Sequence, residues 1–118
     1  GGSMSAADYV TLVAQRAAFI ARVDAATAAV DGLLLPTVAT TALPIAAFAK
    51  DEDFVRLNLY VLRNTAIINF FDLCAVTLPI PDAPPRTPAG LMLVGRNGED
   101  LRLLRIAAAI ERLFTMKS

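Results

Sequence analysis

The sequence predicts an α/β domain in which a layer of about three strands packs with long helices at the amino and carboxy ends. Stretches with helical spacing and without internal glycine or proline lie at both ends of the chain. Short apolar runs bounded by glycine or proline, which are typical of buried strands, lie between them. The length of 118 residues suffices for one domain and not for two. Residues 1–3 look like an expression scar, so the single predicted domain is residues 4–118.

The first predicted helix is an alanine-rich segment from Asp8 to Val30. It lacks glycine and proline, and its polar residues recur near helical spacing. Ser5 or Asp8 can cap its start, because a side-chain oxygen there accepts a hydrogen bond from a free N–H of the first turn. Gly32 follows the helix where a C-terminal glycine is expected.

The run Leu33–Leu35 is wholly apolar, which predicts a strand buried on both faces. It belongs to an uncharged stretch, residues 32–49, that is about as long as the minimum membrane span. However, Pro36 and Pro44 would break a spanning helix. We therefore expect a strand followed by a loop to about residue 49, and no membrane association.

The middle of the chain predicts two helical pieces and a second strand. Apolar residues at helical spacing between charged ones indicate a helix over Asp51–Leu62, and Asn64–Phe71 predicts a further short helical piece. The run Ala75–Leu78, which ends at Pro79, indicates a strand. The proline-rich segment that follows Pro79 predicts an extended surface loop, since proline lacks the N–H that a helix or central strand needs. Its prolines are Pro81, Pro84, Pro85 and Pro88.

The last part of the chain predicts a third strand and a final helix. Leu91–Val94 lies between two glycines, and Asn97 can cap a helix that runs to about Met116. Glu99 and Asp100 are acidic residues in a position that complements the helix dipole. The apolar stripe of this helix comprises Leu103, Ile106, Ile110 and Leu113.

Composition indicates association with a protein partner. Hydrophobic residues make up 56% of the chain and charged residues 19%, an apolar balance that indicates either a generous core for this length or apolar surface for a partner. A sheet of three strands also has an open edge that a second copy or a larger protein would cover. The formal net charge is zero and no basic run is present, so nucleic acid is not an expected partner. The single cysteine, Cys74, lies in an apolar run, which favours a small core residue in a reducing, cytoplasmic compartment.

Missing residue types exclude most catalytic and metal chemistry. The chain has no histidine, and its serines and lysines are few and mostly terminal: Ser3, Ser5, Ser118, Lys50 and Lys117. A serine nucleophile must be held rigidly beside its base, which frayed ends rarely allow. The glycines form no phosphate-binding loop. We therefore expect no catalytic residue, metal site or cofactor within these residues.

The carboxylates do not indicate a catalytic site either. The consecutive residues 51–53 do not face one another on a helix, so a solvated helix start is favoured over a pair of catalytic acids. Asp72 lies in an apolar context and could be buried, where capping or a structural hydrogen bond is favoured over ligand binding. For Asp24 and Arg63 a structural role is likewise favoured over ligand binding.

Several segments, taken in order, carry a resemblance to a known family. They are Asp31–Thr37, Arg63–Asn69, Ala75–Pro79, Ala89–Gly95, Asp100, Leu103–Leu104 and Ala107–Glu111. Together they resemble the last stretch of amidase-signature enzymes, a family that includes bacterial amidases, allophanate hydrolase and the glutaminyl amidotransferase A subunit. The resemblance covers nearly the whole chain from about Asp8, and the order and spacing of the segments carry it rather than any one motif.

The resemblance implies hydrolysis of non-peptide C–N amide bonds by a Ser-Ser-Lys mechanism. In the family, the catalytic lysine and the Gly/Ser-rich signature lie far upstream of this stretch, and no residue here matches them. The expected function is therefore that of a carboxy-terminal amidase segment, inactive alone, whose partner is the missing amino-terminal portion. One alternative is a stand-alone interaction module that forms a homo-oligomer or complements a separate amino-terminal chain. The other is a protein that binds a small apolar ligand in the open cleft.

The resemblance also implies which residues lie nearest the substrate. The loop after Thr37 and the turn around Asn69 would border the active-site cleft, so Thr37, Asn64, Asn69 and Asp72 are the candidate substrate-lining residues. The other interpretation is that Asn64, Thr65 and Asn69 bond to backbone in an irregular segment. The family often has Gly-Leu-Pro where this chain has residues 72–74, which leaves the conformation of that turn open.

Overall fold

The computed structural model describes residues 2–81 and 87–116. Its helices and strands follow the predicted order, and the mixed α/β fold confirms the predicted class. The elements are α1 Ala6–Thr27, β1 Leu33–Pro36, a short 3-10 helix Ile45–Phe48, α2 Asp51–Phe70, β2 Cys74–Pro79, β3 Gly90–Gly95 and α3 Asp100–Thr115. Of the predicted proline-rich loop, Pro84 and Pro85 lie outside the described residues.

The three strands form one antiparallel sheet in the order β1-β3-β2. Met92 of the central strand β3 lies opposite Leu35 of β1 and Thr77 of β2. Since β3 has a neighbour on each side, it is the best-buried strand, whereas β1 and β2 form the edges of the described sheet. The sequence-distant strands β1 and β3 are thus direct neighbours.

Both faces of β3 are covered, by different helices. Alternate side chains of a strand point to opposite faces. Leu93 therefore packs on one face with Leu103 and Ala107 of α3, whereas Met92 and Val94 pack on the other face with Ile68 near the end of α2. The result is a helix, sheet and helix arrangement whose buried core is small.

Helix α1 begins with a reciprocal cap. The Asp8 backbone N–H donates to Ser5 Oγ at 3.1 Å, and the Ser5 backbone N–H donates to Asp8 Oδ2 at 3.0 Å. Hydrogen bonds from Ser5 hold the pKa of the Asp8 carboxyl below its usual value. The two candidate caps thus act together as a capping box.

Helix α2 is longer than predicted. The sequence predicted a break near residue 63 and two pieces, which is wrong, because the structure has one helix over Asp51–Phe70. No glycine or proline occurs in this stretch, so nothing in the backbone forces a break. Its first turn holds three consecutive acidic residues, as expected for a solvated helix start that complements the dipole.

The first strand is more exposed than predicted. Leu34 keeps 58% of its surface accessible, and Leu33 is also exposed. The predicted burial on both faces is therefore wrong. The reason is position: β1 is an edge strand, and the helices of the described structure cover it only partly.

The start and one stripe position of α3 also differ from prediction. Glu99, not Asn97, occupies the N-cap position, and its side chain makes no capping hydrogen bond. Leu103 is buried, and Ile106 and Ile110 pack on the same cluster, as predicted. Leu113 is exposed instead, because Phe114 takes the corresponding place against the cluster.

The described structure is thin and open. Its radius of gyration is 17.7 Å and its extents are 56 × 43 × 19 Å, whereas a compact domain of ~100 residues has a radius of gyration near 13 Å. Helix α1 contains no buried residue. Among the described residues, no helix is both long and apolar enough to cross a membrane.

Candidate functional site

Thr37 lies directly after the edge strand β1, and its side chain reaches β2 at the opposite edge of the sheet. Its backbone N–H donates to the Gly90 carbonyl at 3.0 Å, which extends the β1–β3 pairing by one residue. Its Oγ1 hydroxyl donates to Thr77 Oγ1 of β2 at 3.1 Å. Two hydroxyls that are 40 residues apart in sequence are therefore paired at this end of the sheet.

Asn64 of α2 approaches the same end of the sheet. Its Nδ2 donates to the Pro36 carbonyl at 2.8 Å, which ties α2 to the end of β1. The structure thus brings Thr37 and Asn64 together, and Asn64 lies in a regular helix. Its amide bonds a backbone carbonyl, as the alternative interpretation proposed, while a contact with substrate stays a prediction.

Gly90 makes the hydroxyl pair possible. A Cβ atom built at Gly90 would lie 2.7 Å from Thr37 Oγ1 and 2.7 Å from Thr77 Cγ2. Contacts that short force a side chain to move. Sequence reasoning missed both Gly90 and Thr77 as site residues, because only the strand order β1-β3-β2 places Gly90 between the two threonines.

An open apolar groove of about 340 Å³ borders this cluster. It adjoins a second groove of about 370 Å³, which extends to Phe48 and Val61. Within the part of the chain that the structure describes, the hydroxyls that line the grooves belong to Thr40 and Thr41, and no charged side chain lines them. The apolar lining of the first groove includes Leu34, Leu35, Pro36, Val38, Ile80 and Leu91. The loop after Thr37 lines these grooves, and their apolar lining suits an apolar group.

Asp72 and Asn69 lie at the opposite end of the sheet. Asp72 precedes the start of β2, while Thr37 lies beside its end, so the four predicted site residues do not form one cluster. Asp72 is exposed, and the expectation that it could be buried is wrong. Its Oδ1 accepts from Arg16 Nη2 at 2.5 Å. The carbonyl of Asn69 accepts from the Asp72 N–H at 3.2 Å, within the tight turn after α2.

The backbone of Asp72 has a φ of 55°, in the left-handed region that favours glycine. We expect Asp72→Gly to be more stable than Asp72→Ala by about 1 kcal/mol, because both lose the exposed ion pair but only alanine keeps the left-handed strain. Urea unfolding of the two variants measures the difference. Equal stabilities would mean that the turn relaxes when the ion pair with Arg16 is removed.

Cys74 is a structural thiol. Its Sγ donates to the Arg96 carbonyl at 3.1 Å, and the side chain packs against the core cluster under α3, as predicted for a small core residue. Burial, and secondly the negative charge of Asp100, raise the pKa of the Cys74 thiol above its usual value of 9.0. A raised pKa lowers the thiolate fraction at neutral pH, so Cys74 is a poor nucleophile. The described residues contain no group of three metal-ligating side chains.

The sequence of the chain matches a known protein family. The family model described as Amidase matches residues 2–104. The chain is similar to 2-amino-5-chloromuconic acid deaminase of Comamonas testosteroni, at 40% identity over 84 residues that cover 71% of this chain and 18% of that protein. It is also similar to fatty acid amide hydrolase of Oryza sativa subsp. japonica, at 31% identity over 118 residues, 98% of this chain and 19% of that protein.

A third relative is the A subunit of the mitochondrial glutamyl-tRNA(Gln) amidotransferase of Mus musculus, at 34% identity over 90 residues, 76% of this chain and 17% of that protein. A comparison with solved structures found no significant match. The chain spans less than a fifth of the length of these three curated relatives. Since the family model covers residues 2–104 of the 118, the chain belongs to the amidase family.

Proposed function

We propose that this chain forms the carboxy-terminal part of an amidase-family hydrolase that cleaves non-peptide C–N amide bonds by a Ser-Ser-Lys mechanism. The nucleophilic serine and the residues that move its proton belong to a separate, amino-terminal portion. The serine and lysine content supports this division, because no internal serine exists and the only internal lysine, Lys50, is exposed. By itself the chain is proposed to be inactive.

The observation that carries the proposal is the incomplete core. The three helices contribute only Ile68, Leu103 and Ala107 to the buried residues. At the same time, many large apolar side chains of α1, α2 and β1 are exposed. Apolar surface of this extent marks an interface with another polypeptide. In the proposed enzyme, the amino-terminal portion covers this surface and pairs with the free edge of β1.

The part of the substrate cleft that we assign to this chain is the end of the sheet at Thr37. Thr37 and Asn64 lie there beside the apolar groove, so they are the proposed substrate-lining pair. Asn69 and Asp72 are left out of the proposed cleft, since they lie at the other end of the sheet and Asp72 is engaged with Arg16. The role of this chain is to position the substrate and to exclude water from it.

The same apolar surface favours one other candidate function, a stand-alone module that forms a homo-oligomer. The two candidates differ in what covers the surface. A single dimeric species of the isolated chain in sedimentation analysis supports the module, whereas association over a broad range of sizes supports the incomplete enzyme. In either case we propose a cytoplasmic location, because a lone half-buried cysteine fits a reducing compartment.

A chimaera tests the main proposal. This chain replaces the 40%-identical segment of the Comamonas testosteroni deaminase, and deamination of 2-amino-5-chloromuconic acid is measured. We expect the chimaera to fold and to retain kcat/KM within about tenfold of the parent enzyme, a loss of about 1.4 kcal/mol in transition-state stabilisation. The isolated chain, and the deaminase without that segment, serve as controls and should both be inactive.

Two results would contradict the proposal. Hydrolysis of amides by the isolated chain would mean that it carries its own catalytic groups. A chimaera that is folded and monodisperse but inactive would mean that this chain cannot complete an amidase cleft.

A further inference from the structure

The connection between β3 and α3 contains the dipeptide Asn97-Gly98, and both residues are exposed. The Glu99 N–H donates to the Arg96 carbonyl at 3.1 Å, which closes a four-residue turn. Gly98 has a φ of 77°, while Asn97 does not have a positive φ. A positive φ at the third position alone is the pattern of a type II turn, which requires glycine there.

The groups that could react with each other in this turn are both unengaged. Within the described residues, the Asn97 side chain makes no hydrogen bond and the Gly98 N–H has no backbone acceptor. A Cβ atom at Gly98 would meet no atom within 4 Å, so the space around this residue is open. One backbone hydrogen bond holds the turn, and local opening of such an exposed segment has a small free-energy cost.

We propose that Asn97 is a site of spontaneous deamidation. The Gly98 backbone nitrogen forms a bond to Asn97 Cγ, the Cγ–Nδ2 bond breaks, and Nδ2 leaves as ammonia with the proton from the Gly98 N–H. The product is a five-membered succinimide ring. Water then opens either of the two ring C–N bonds, which leaves aspartate or isoaspartate at position 97. The net reaction consumes one water molecule and releases one ammonia molecule.

The fold makes this reaction selective for one asparagine. The other three asparagines, Asn58, Asn64 and Asn69, lie within α2. There the following backbone nitrogen donates within the helix, and the following residue carries a side chain that hinders ring closure. Asn64 is also held by its bond to the Pro36 carbonyl. These three residues are therefore internal controls.

The two products have opposite consequences for α3. Aspartate at position 97 adds a negative charge just before the N-cap Glu99, where α3 lacks a side-chain cap and a negative charge is favourable. Isoaspartate adds a carbon atom to the main chain, which breaks the turn bond between Arg96 and Glu99. Since that turn is the whole link from β3 to α3, isoaspartate displaces the helix start and its Arg102–Glu99 ion pair.

Peptide mapping of the aged protein tests the proposal. Trypsin cleaves after Arg96 and Arg102, which isolates residues 97–102 with a single asparagine. After incubation at mildly alkaline pH, this peptide should gain the mass of an NH-to-O exchange before any peptide of α2, relative to an unaged sample. Isomerisation at Asp31-Gly32 does not change the mass, because water is lost and then regained, so the mass change reports asparagine alone.

Two variants separate the chemistry from the fold. Gly98→Ala should slow the loss of ammonia by roughly tenfold, because the methyl group hinders ring closure. Since alanine strains this positive-φ turn, Asn97→Gln is the second variant; it keeps Gly98 and should abolish the mass change. An unmodified 97–102 peptide in a sample where a free peptide of the same sequence has fully deamidated would overturn the proposal. Equal rates at the α2 asparagines would overturn it as well.

Discussion

Leu103→Ala is expected to lower the free energy of unfolding by about 2–5 kcal/mol. Leu103 is only 3% exposed and packs with Leu78, Leu93 and Ala107, the cluster that seats α3 on the sheet. Its truncation removes apolar burial and leaves a cavity. Because the described core contains only seven buried hydrophobic residues, this loss is a large part of a typical stability of about 5–15 kcal/mol.

Urea unfolding followed by circular dichroism measures the effect, and Leu104→Ala is the matched control. Leu104 is the next residue of α3 and is 53% exposed, so its truncation should change stability by less than about 0.5 kcal/mol. Equal losses in the two variants would show that α3 does not pack on the sheet through the face that contains Leu103.

Gly90→Val is expected to lower the free energy of unfolding by about 1–3 kcal/mol, because the added side chain overpacks the space between two strands. Its Cβ would lie 2.7 Å from both Thr37 Oγ1 and Thr77 Cγ2. One of the threonines must then rotate or move, which breaks the hydroxyl pair. The change also narrows the groove that Gly90 helps to line.

Ala89→Val is the control for this second variant. Ala89 is the preceding residue, its side chain is exposed, and its carbonyl accepts from the Ile80 N–H without involving the side chain. Valine is favoured in extended segments, so Ala89→Val should leave stability within about 0.5 kcal/mol of the parent. If Gly90→Val were as stable as Ala89→Val, the close approach of Thr37 and Thr77 would not be a feature of the native sheet.

Local sequence patterns predicted most elements because short-range spacing determines them. The spacing of polar residues located the first helix and that of apolar residues the last one, and flanking glycine or proline located the second and third strands. The patterns failed at boundaries and burial. Arg63 and Asn64 looked like an interruption, yet the helix continues through them. Arg63 is exposed, and the Asn64 amide is satisfied by its bond to the Pro36 carbonyl. Leu33–Leu35 looked fully buried but forms an edge strand.

The candidate site was predictable only in part. Thr37 and Asn64 were predicted to line the substrate cleft. The structure brings them together beside a groove, and their contact with a substrate stays a prediction. Asp72 was also identified, but the structure places it at the other end of the sheet in an ion pair with Arg16. Thr77 and Gly90 were missed because a neighbouring-strand contact leaves no mark on the local sequence of either strand.

By itself, the sequence determined the chemistry that these residues can offer. Side-chain types do not depend on folding, so a chain without histidine has no imidazole group to offer in any conformation. It also indicated most of the helices and strands, since their periodicities are local. Only the tertiary structure decided that β3 lies between β1 and β2 and that Gly90 thereby leaves room for the pair of threonine hydroxyls. It also decided that α1 has no buried residue. Those features depend on contacts between distant residues, which strand order and packing establish and local patterns do not.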